Sequence, residues 1–385
     1  MKMLDVKNKI EGFKLITNDD RYMIKYNEDY FYISELFYNI LQEIKTETHK
    51  VDEFIKRHQI STSDYAELSH LLDDKIDNII DDTKDKKKYI RFSIKLLSEK
   101  NTTTLSNSFK FLFQEGIFKL VFPLVVAIAF ASFFLINTKY ENHTIFDVSI
   151  VDTSIVYFII LIIMFFHELG HSSASKYFNI NPKEIGFGFY IIFPVLYSNV
   201  TRVWELDKNK RVLVNLGGIY FQGIINSLAF LYLFFNYDDN YITYLVILIT
   251  KTNLFVMAYS LFPFVRNDGY WIISDYFNIL NLNKRSYSYV IDLMLKRESI
   301  NYSLLIYSLG QYLFIFYLGY KYLPTIPLNI RAFTNHVVEK GFMDLLFTDW
   351  GLLIKLILSL LIGMVAITSL FRFLKPLFKK EKALA

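Results

Sequence analysis

The stretch His167-Glu168-Leu169-Gly170-His171 sets two imidazoles and a carboxylate close together in the chain. Positions i and i+4 share one face of a helix, so both imidazoles can reach a single zinc ion in the H-E-x-x-H arrangement. Glu168, one position on, lies beside the metal's open site. There it can take a proton from a polarised water and pass it to a leaving amine. A catalytic zinc wants a third protein ligand and keeps its fourth position open. The chain contains no cysteine, which removes disulfides, a thiol nucleophile and thiolate-ligated metal from consideration.

The elements that must position these groups are membrane helices. Of 385 residues, 53% are hydrophobic and 18% aromatic, and the mean hydropathy is +0.26. That is more apolar surface than a soluble core needs. A span takes about 20 apolar residues, and six runs qualify: Ile117 to Ile136, Thr153 to Tyr177, Val212 to Phe235, Tyr241 to Phe264, Tyr302 to Leu323 and Leu352 to Leu370. The uninterrupted apolar part of the second, Ile155 to Phe166, is too short to cross, so its helix must continue through the motif. Counted from Thr153, His167 then lies about 20 Å into a hydrocarbon core about 30 Å thick. Ionisable groups at that depth are costly and mark function.

Lys and Arg concentrate in alternate loops: Lys86 to Lys110 before the first span, Lys183 to Arg211 after the second, Arg266 to Arg297 after the fourth, and Lys375 to Lys382 at the end. The positive-inside rule therefore predicts a multi-pass protein of the cell membrane with both termini cytoplasmic. Arg331 and Lys340, after the fifth span, fit this pattern less cleanly. Met1 is not followed by a secretory-type apolar core, so no cleaved signal peptide is expected. The net charge of +4 reflects these loops, and no polybasic tract interleaved with aromatics points to nucleic acid.

The third ligand must come from the depth of the histidine pair. His143 and His336 fall on the expected outer side, and His49, His58 and His70 fall in the soluble N-terminal region. Asp268 is the best remaining candidate, because it follows the fourth span at its cytoplasmic end, where Pro263 ends the helix and Gly269 lets the chain turn. Asp275, Glu184, Glu205 and Asp207 are weaker alternatives, and an N-cap role is the competing account of Asp268.

Three further segments carry expectations. Tyr22 to Tyr26 and Tyr30 to Tyr32 read as strands around a turn, followed by helical spacing at Leu36, Phe37, Ile40, Leu41 and Ile44, a shorter element at Val51 to Ile55, and another helix from Leu68 to Ile80. Ile90, Phe92 and Ile94 alternate with Arg91, Ser93 and Lys95 as a possible strand. Gly186 to Val200 is apolar yet too short to span, which fits a re-entrant or hairpin element. The expected architecture is mainly α, a polytopic membrane protein with about six transmembrane helices and a small α+β winged-helix-like N-terminal domain. Its domains are 1–90, a linker 91–116, and a transmembrane domain 117–385.

H-E-L-G-H in an early span, paired with P-x-x-x-x-D-G from Pro263 to Gly269 after a later one, resembles the site-2 protease family of intramembrane zinc metalloproteases. The Gly-rich stretch NLGGIYFQGIINS, residues 215–227, is similar to that family's third core helix. GFGFYIIFPVLYSN (186–199) and NDGYWIISD (267–275) resemble the branch associated with maturation of ribosomally made peptides. The resemblance implies Zn²⁺ held by His167, His171 and Asp268, with Glu168 as general base. It implies substrate contacts at Gln222, Ser260 and Asn199; many members carry Asn where this chain has Gln222 and Ser260. It also implies a peptide or membrane-protein substrate met within the lipid bilayer and an ABC-type exporter as partner. Residues 1–90 resemble leader-peptide recognition domains, in which an extended leader adds to an open strand.

Overall fold

The computed structural model describes residues 8–18, 21–27, 29–46, 72, 74–80, 90–139, 149–190, 193–236 and 240–375. They fall into two compact units, Met1–Tyr140 with Ser154–Met257, and Glu141–Thr153 with Ala258–Ala385.

The first unit begins with an antiparallel sheet of β1 (Lys14–Asn18), β2 (Arg21–Tyr26) and β3 (Asp29–Ile33), in that order. β2 and β3 are the expected strand pair, in a register that sets Ile24 opposite Phe31; β1 is an addition. Helix α1 (Glu35–Thr46) follows, its first turn capped by the Ser34 hydroxyl accepting from the amide of Phe37. Phe37, Ile40, Leu41 and Ile44 line one face of α1 and close a core with Ile10, Phe13, Ile24, Leu72 and Ile76. The helical spacing from Ile76 to Ile80 is realised, whereas the expected element at Val51 to Ile55 lies outside the described residues.

A second antiparallel sheet joins segments far apart in the chain, in the order β4 (Ile90–Leu97), β5 (Ile185–Tyr190), β6 (Phe193–Ser198). The apolar stretch 186–200 thus forms a hairpin, with Gly186 opposite Tyr197. Its outer edge is satisfied by the alternating strand at 90–97, with register shifts between Arg91 and Ile94 and between Lys95 and Leu97.

Among the described residues, six helices are long and apolar enough to cross a membrane, which makes this a mainly helical multi-pass membrane protein. After α2 (Glu99–Phe109), the spans in the first unit are α3 (Glu115–Lys139), α4 (Ile150–Tyr177, whose first residues count with the second unit), α5 (Lys208–Phe235) and α6 (Tyr241–Ser260, whose last residues count with the second unit). α4 runs 28 residues without a break through the histidine motif, as its short apolar segment required. α6 ends at Ser260 instead of continuing to Phe264, because Pro263 cannot donate to the helix and biases the residue before it out of the α region. α3 lies close against α5, with Asn226 Nδ2 donating to Ser132 Oγ at 3.1 Å.

The second unit continues with α7 (Asp268–Tyr276), α8 (Leu282–Met294) and the span α9 (Tyr302–Tyr322). Residues after the fifth span form helices α10 (Thr325–Lys340) and α11 (Phe342–Thr348) rather than an open loop. The last span is α12 (Trp350–Leu374), on which α10 packs: Asn329 Nδ2 donates to the Lys355 carbonyl at 3.4 Å.

Candidate metal centre

His167, Glu168 and His171 sit in the interior stretch of α4, each buried. Their helical spacing brings the imidazole Nε2 atoms to 3.0 Å from each other. What each ring does with its other nitrogen decides what lies between them. His171 Nδ1 is 2.8 Å from the main-chain carbonyl of Val214, which can only accept, so that Nδ1 carries the proton. His167 Nδ1 is 2.8 Å from Gln222 Oε1, again an acceptor. In the neutral rings Nε2 is then the nitrogen of each that can ligate a cation. Two ligands on a tetrahedral zinc, each at about 2.0–2.1 Å, stand about 3.3 Å apart, about 0.3 Å wider than the observed 3.0 Å.

The room for an ion comes from α5. Gly217 and Gly170 meet almost backbone to backbone, a Cβ on Gly170 falling 2.1 Å from the Gly217 carbonyl oxygen. One residue on, a Cβ on Gly218 would fall 2.5 Å from Nε2 of both His167 and His171. Glycine at 218 therefore keeps the space beside the two nitrogens clear. Glu168 is 8% exposed, and no protein group among the described residues hydrogen-bonds its carboxylate, which leaves it available as a base.

Gln222 itself is fully buried; its amide nitrogen donates to Asn253 Oδ1 at 3.2 Å and approaches Met164 Sδ at 3.5 Å. Asn199 closes the base of the β5–β6 hairpin, donating to Glu184 Oε1 at 3.1 Å and accepting from Thr201 Oγ1 at 2.8 Å. Asn253, inside α6, was not singled out from sequence. Its signal was there: Thr250, Lys251, Thr252 and Asn253 interrupt an otherwise apolar span.

Asp268 and Ser260 belong to the second unit. Asn267, rather than Asp268, is the N-cap of α7, its side chain accepting from the Tyr270 amide at 3.4 Å, and Asp268 is the first helical residue, half-buried. The turn before it is held tightly. Asn267 Nδ2 donates to the Tyr259 carbonyl, the Tyr307 hydroxyl donates to the Pro263 carbonyl at 2.8 Å, and a Cβ on Gly269 would fall 2.0 Å from the Leu261 carbonyl oxygen. Ser260, buried, ends α6 just before this turn.

The other carboxylates weighed as ligands outside α7 have partners of their own. Glu184 is bound to Asn199, Asp207 to Lys210 at 2.8 Å, and Glu205 to Lys25 at 2.8 Å and the Tyr30 hydroxyl at 2.6 Å. His336 lies 3.1 Å from Asp344, in the second unit; His49, His58, His70 and His143 lie outside the described residues. Within the first unit, His167 and His171 offer two imidazole nitrogens, donors suited to zinc.

No protein-family model matches the chain, and no solved structure matches it. Over 121 residues, 31% of its length, the chain is 29% identical to a Bacillus subtilis (strain 168) protein named "Putative peptide zinc metalloprotease protein YydH". The match spans 45% of that relative's length, so the relationship reaches part of each chain.

Proposed function

We propose that the protein is an intramembrane zinc endopeptidase of the site-2 protease type, with His167, His171 and Asp268 as ligands and Glu168 as general base. The single observation that carries this reading is the pair of Nε2 atoms 3.0 Å apart, each ring anchored through Nδ1, on the same helix as the buried carboxylate of Glu168. Zinc supplies Lewis-acid polarisation of a carbonyl oxygen and makes water a nucleophile near neutral pH.

The chain's own residues do the rest. Val214 and Gln222 fix the two ring tautomers, so no rotation of the imidazoles has to precede reaction. Glu168 takes the proton from the attacking water and returns it to the amine that leaves as the peptide C–N bond breaks. Burial keeps bulk water away and strengthens each of these electrostatic contacts.

The substrate we assign is a ribosomally made peptide or its leader, cut near the cytoplasmic leaflet, with both chain termini cytoplasmic and an exporter of the ABC type downstream. Two features support this. The relative's name refers to a peptide zinc metalloprotease, and residues 14–33 form a sheet whose outer strands β1 and β3 are the kind of edge that an extended peptide can extend. The full-length protein, reconstituted in bilayers with zinc, is incubated with candidate peptides and the products are read by mass spectrometry. A single cut that disappears in Glu168→Gln and on chelation is expected. Cleavage that survives both ends the catalytic reading. Cleavage unchanged after removal of residues 1–90 shifts the substrate to a membrane-anchored regulator, and zinc-independent peptide binding without cleavage shifts the function to export or immunity.

A further inference from the structure

The amide of Gln222 has an assignable direction, because it ends a chain of hydrogen bonds that starts at a group unable to flip. Asn253 Nδ2 donates to the main-chain carbonyl of Gln222 at 3.3 Å, and a carbonyl only accepts. Asn253 Oδ1 must then face Gln222 Nε2, at 3.2 Å. That leaves Gln222 Oε1 facing His167 Nδ1, at 2.8 Å. The order of donors and acceptors is thereby set from backbone to imidazole, and the proton is forced onto Nδ1 of His167. Gln222 and Asn253 are 0% and 1% exposed, so bulk water does not compete for these bonds. His171 receives the same treatment from a backbone carbonyl; the orientation of His167 alone depends on side chains.

We infer that Gln222 and Asn253 are positioning residues for the metal centre, a relay that locks the His167 tautomer and aims its Nε2 at the zinc. The inference rests on the zinc reading above. An acceptor behind a metal-bound imidazole fixes its orientation and raises its basicity, and losing it typically costs about 10–100-fold in metal affinity.

The test is the zinc dissociation constant of the full-length protein in detergent, by competition with a chromogenic chelator, for wild type, Gln222→Met and Gln222→Glu. Met fills nearly the same volume but offers His167 no oxygen; Glu keeps an oxygen in place. The relay predicts that Gln222→Met weakens zinc by about 10–100-fold while Gln222→Glu stays within about threefold of wild type. A role in packing alone predicts the reverse order, since Met packs easily and a buried carboxylate is costly. Wild-type affinity in Gln222→Met overturns the inference. Wild-type protein that binds no zinc overturns the zinc reading instead, so the two failures are distinct. Should Gln222→Met not fold, Asn253→Leu carries the test: it frees the Gln222 amide to turn, and a loss of about three- to tenfold is expected. An unchanged constant there is equally decisive against the relay.

Discussion

Gly218 offers the sharpest separation between folding and metal binding, because what its missing Cβ would strike are side-chain tips and not backbone. In Gly218→Ala the new methyl group would lie 2.5 Å from Nε2 of His167 and of His171, and ordinary contact begins near 3.4 Å, so each ring must withdraw by about 0.9 Å. For the fold this is a modest demand. Overpacking costs about 1–3 kcal/mol, and alanine in place of glycine within a helix returns about 1 kcal/mol, leaving a net loss of about 0–2 kcal/mol. For zinc the demand is severe. The metal holds imidazole nitrogen at about 2.0–2.1 Å with a tolerance of about 0.2 Å, so the required retreat exceeds what coordination allows. Both ligands are affected at once, and affinity should fall by more than about 100-fold, beyond the loss expected from an outer-shell change. Zinc content by elemental analysis, with a dissociation constant from chelator competition, reads the first effect; thermal unfolding in detergent reads the second. A folded Gly218→Ala protein that retains stoichiometric zinc with wild-type affinity refutes the placement of the ion between the two nitrogens.

Glu168→Gln should lower cleavage by at least about 10²–10⁴-fold while zinc content stays at the wild-type level, since the carboxylate is assigned to proton transfer and not to ligation; loss of zinc in that variant would contradict the division of roles. Gly170→Ala should behave opposite to Gly218→Ala. Its Cβ would meet the Gly217 carbonyl at 2.1 Å, backbone that cannot swing aside, so a destabilisation of about 1–3 kcal/mol or more is expected in thermal unfolding, and an unfolding midpoint equal to wild type would count against the close α4–α5 approach. The carboxyl of Glu205 supplies a pH test. Burial pushes its pKa up, but hydrogen bonds from Lys25 and Tyr30 and the charges of Lys25 and Lys14 outweigh that and hold it below the ordinary 4.5. A carboxyl depressed in the folded state stabilises above its unfolded value, and the benefit is lost as pH falls through the folded value. Unfolding midpoints followed from neutral pH to below pH 4.5 should therefore drop more steeply in wild type than in Glu205→Gln, and parallel curves would show that this ion pair does not anchor the N-terminal sheet.

Local patterns in the sequence were enough to define the spans and the length of α4. Apolar length set six helices, because a backbone in hydrocarbon has to satisfy its own hydrogen bonds. The shortness of Ile155 to Phe166 required that α4 run on through His171, as it does. Spacing alone put both imidazoles on one face. Pro263, read as an early stop, also ends α6 before its expected limit.

Other features depend on residues distant in sequence, and no local pattern encodes them. β4 finds β5 some ninety residues later, a pairing set by edge hydrogen bonds between separate segments. Trp204 meets Tyr32 at 5.9 Å between ring centres, and Glu205 takes Lys25 and Tyr30, so a carboxylate weighed as a ligand instead docks the N-terminal sheet. Gln222, Asn253 and Val214 settle the proton on each imidazole from two other helices, and the backbone contact at Gly170 and Gly217 sets how near those helices come. The sequence determined which groups face one another along a single helix, because helical geometry fixes that locally. Which nitrogen carries the proton, and how much room is left beside it, was decided only by packing, because both depend on atoms brought within 3 Å by the tertiary fold.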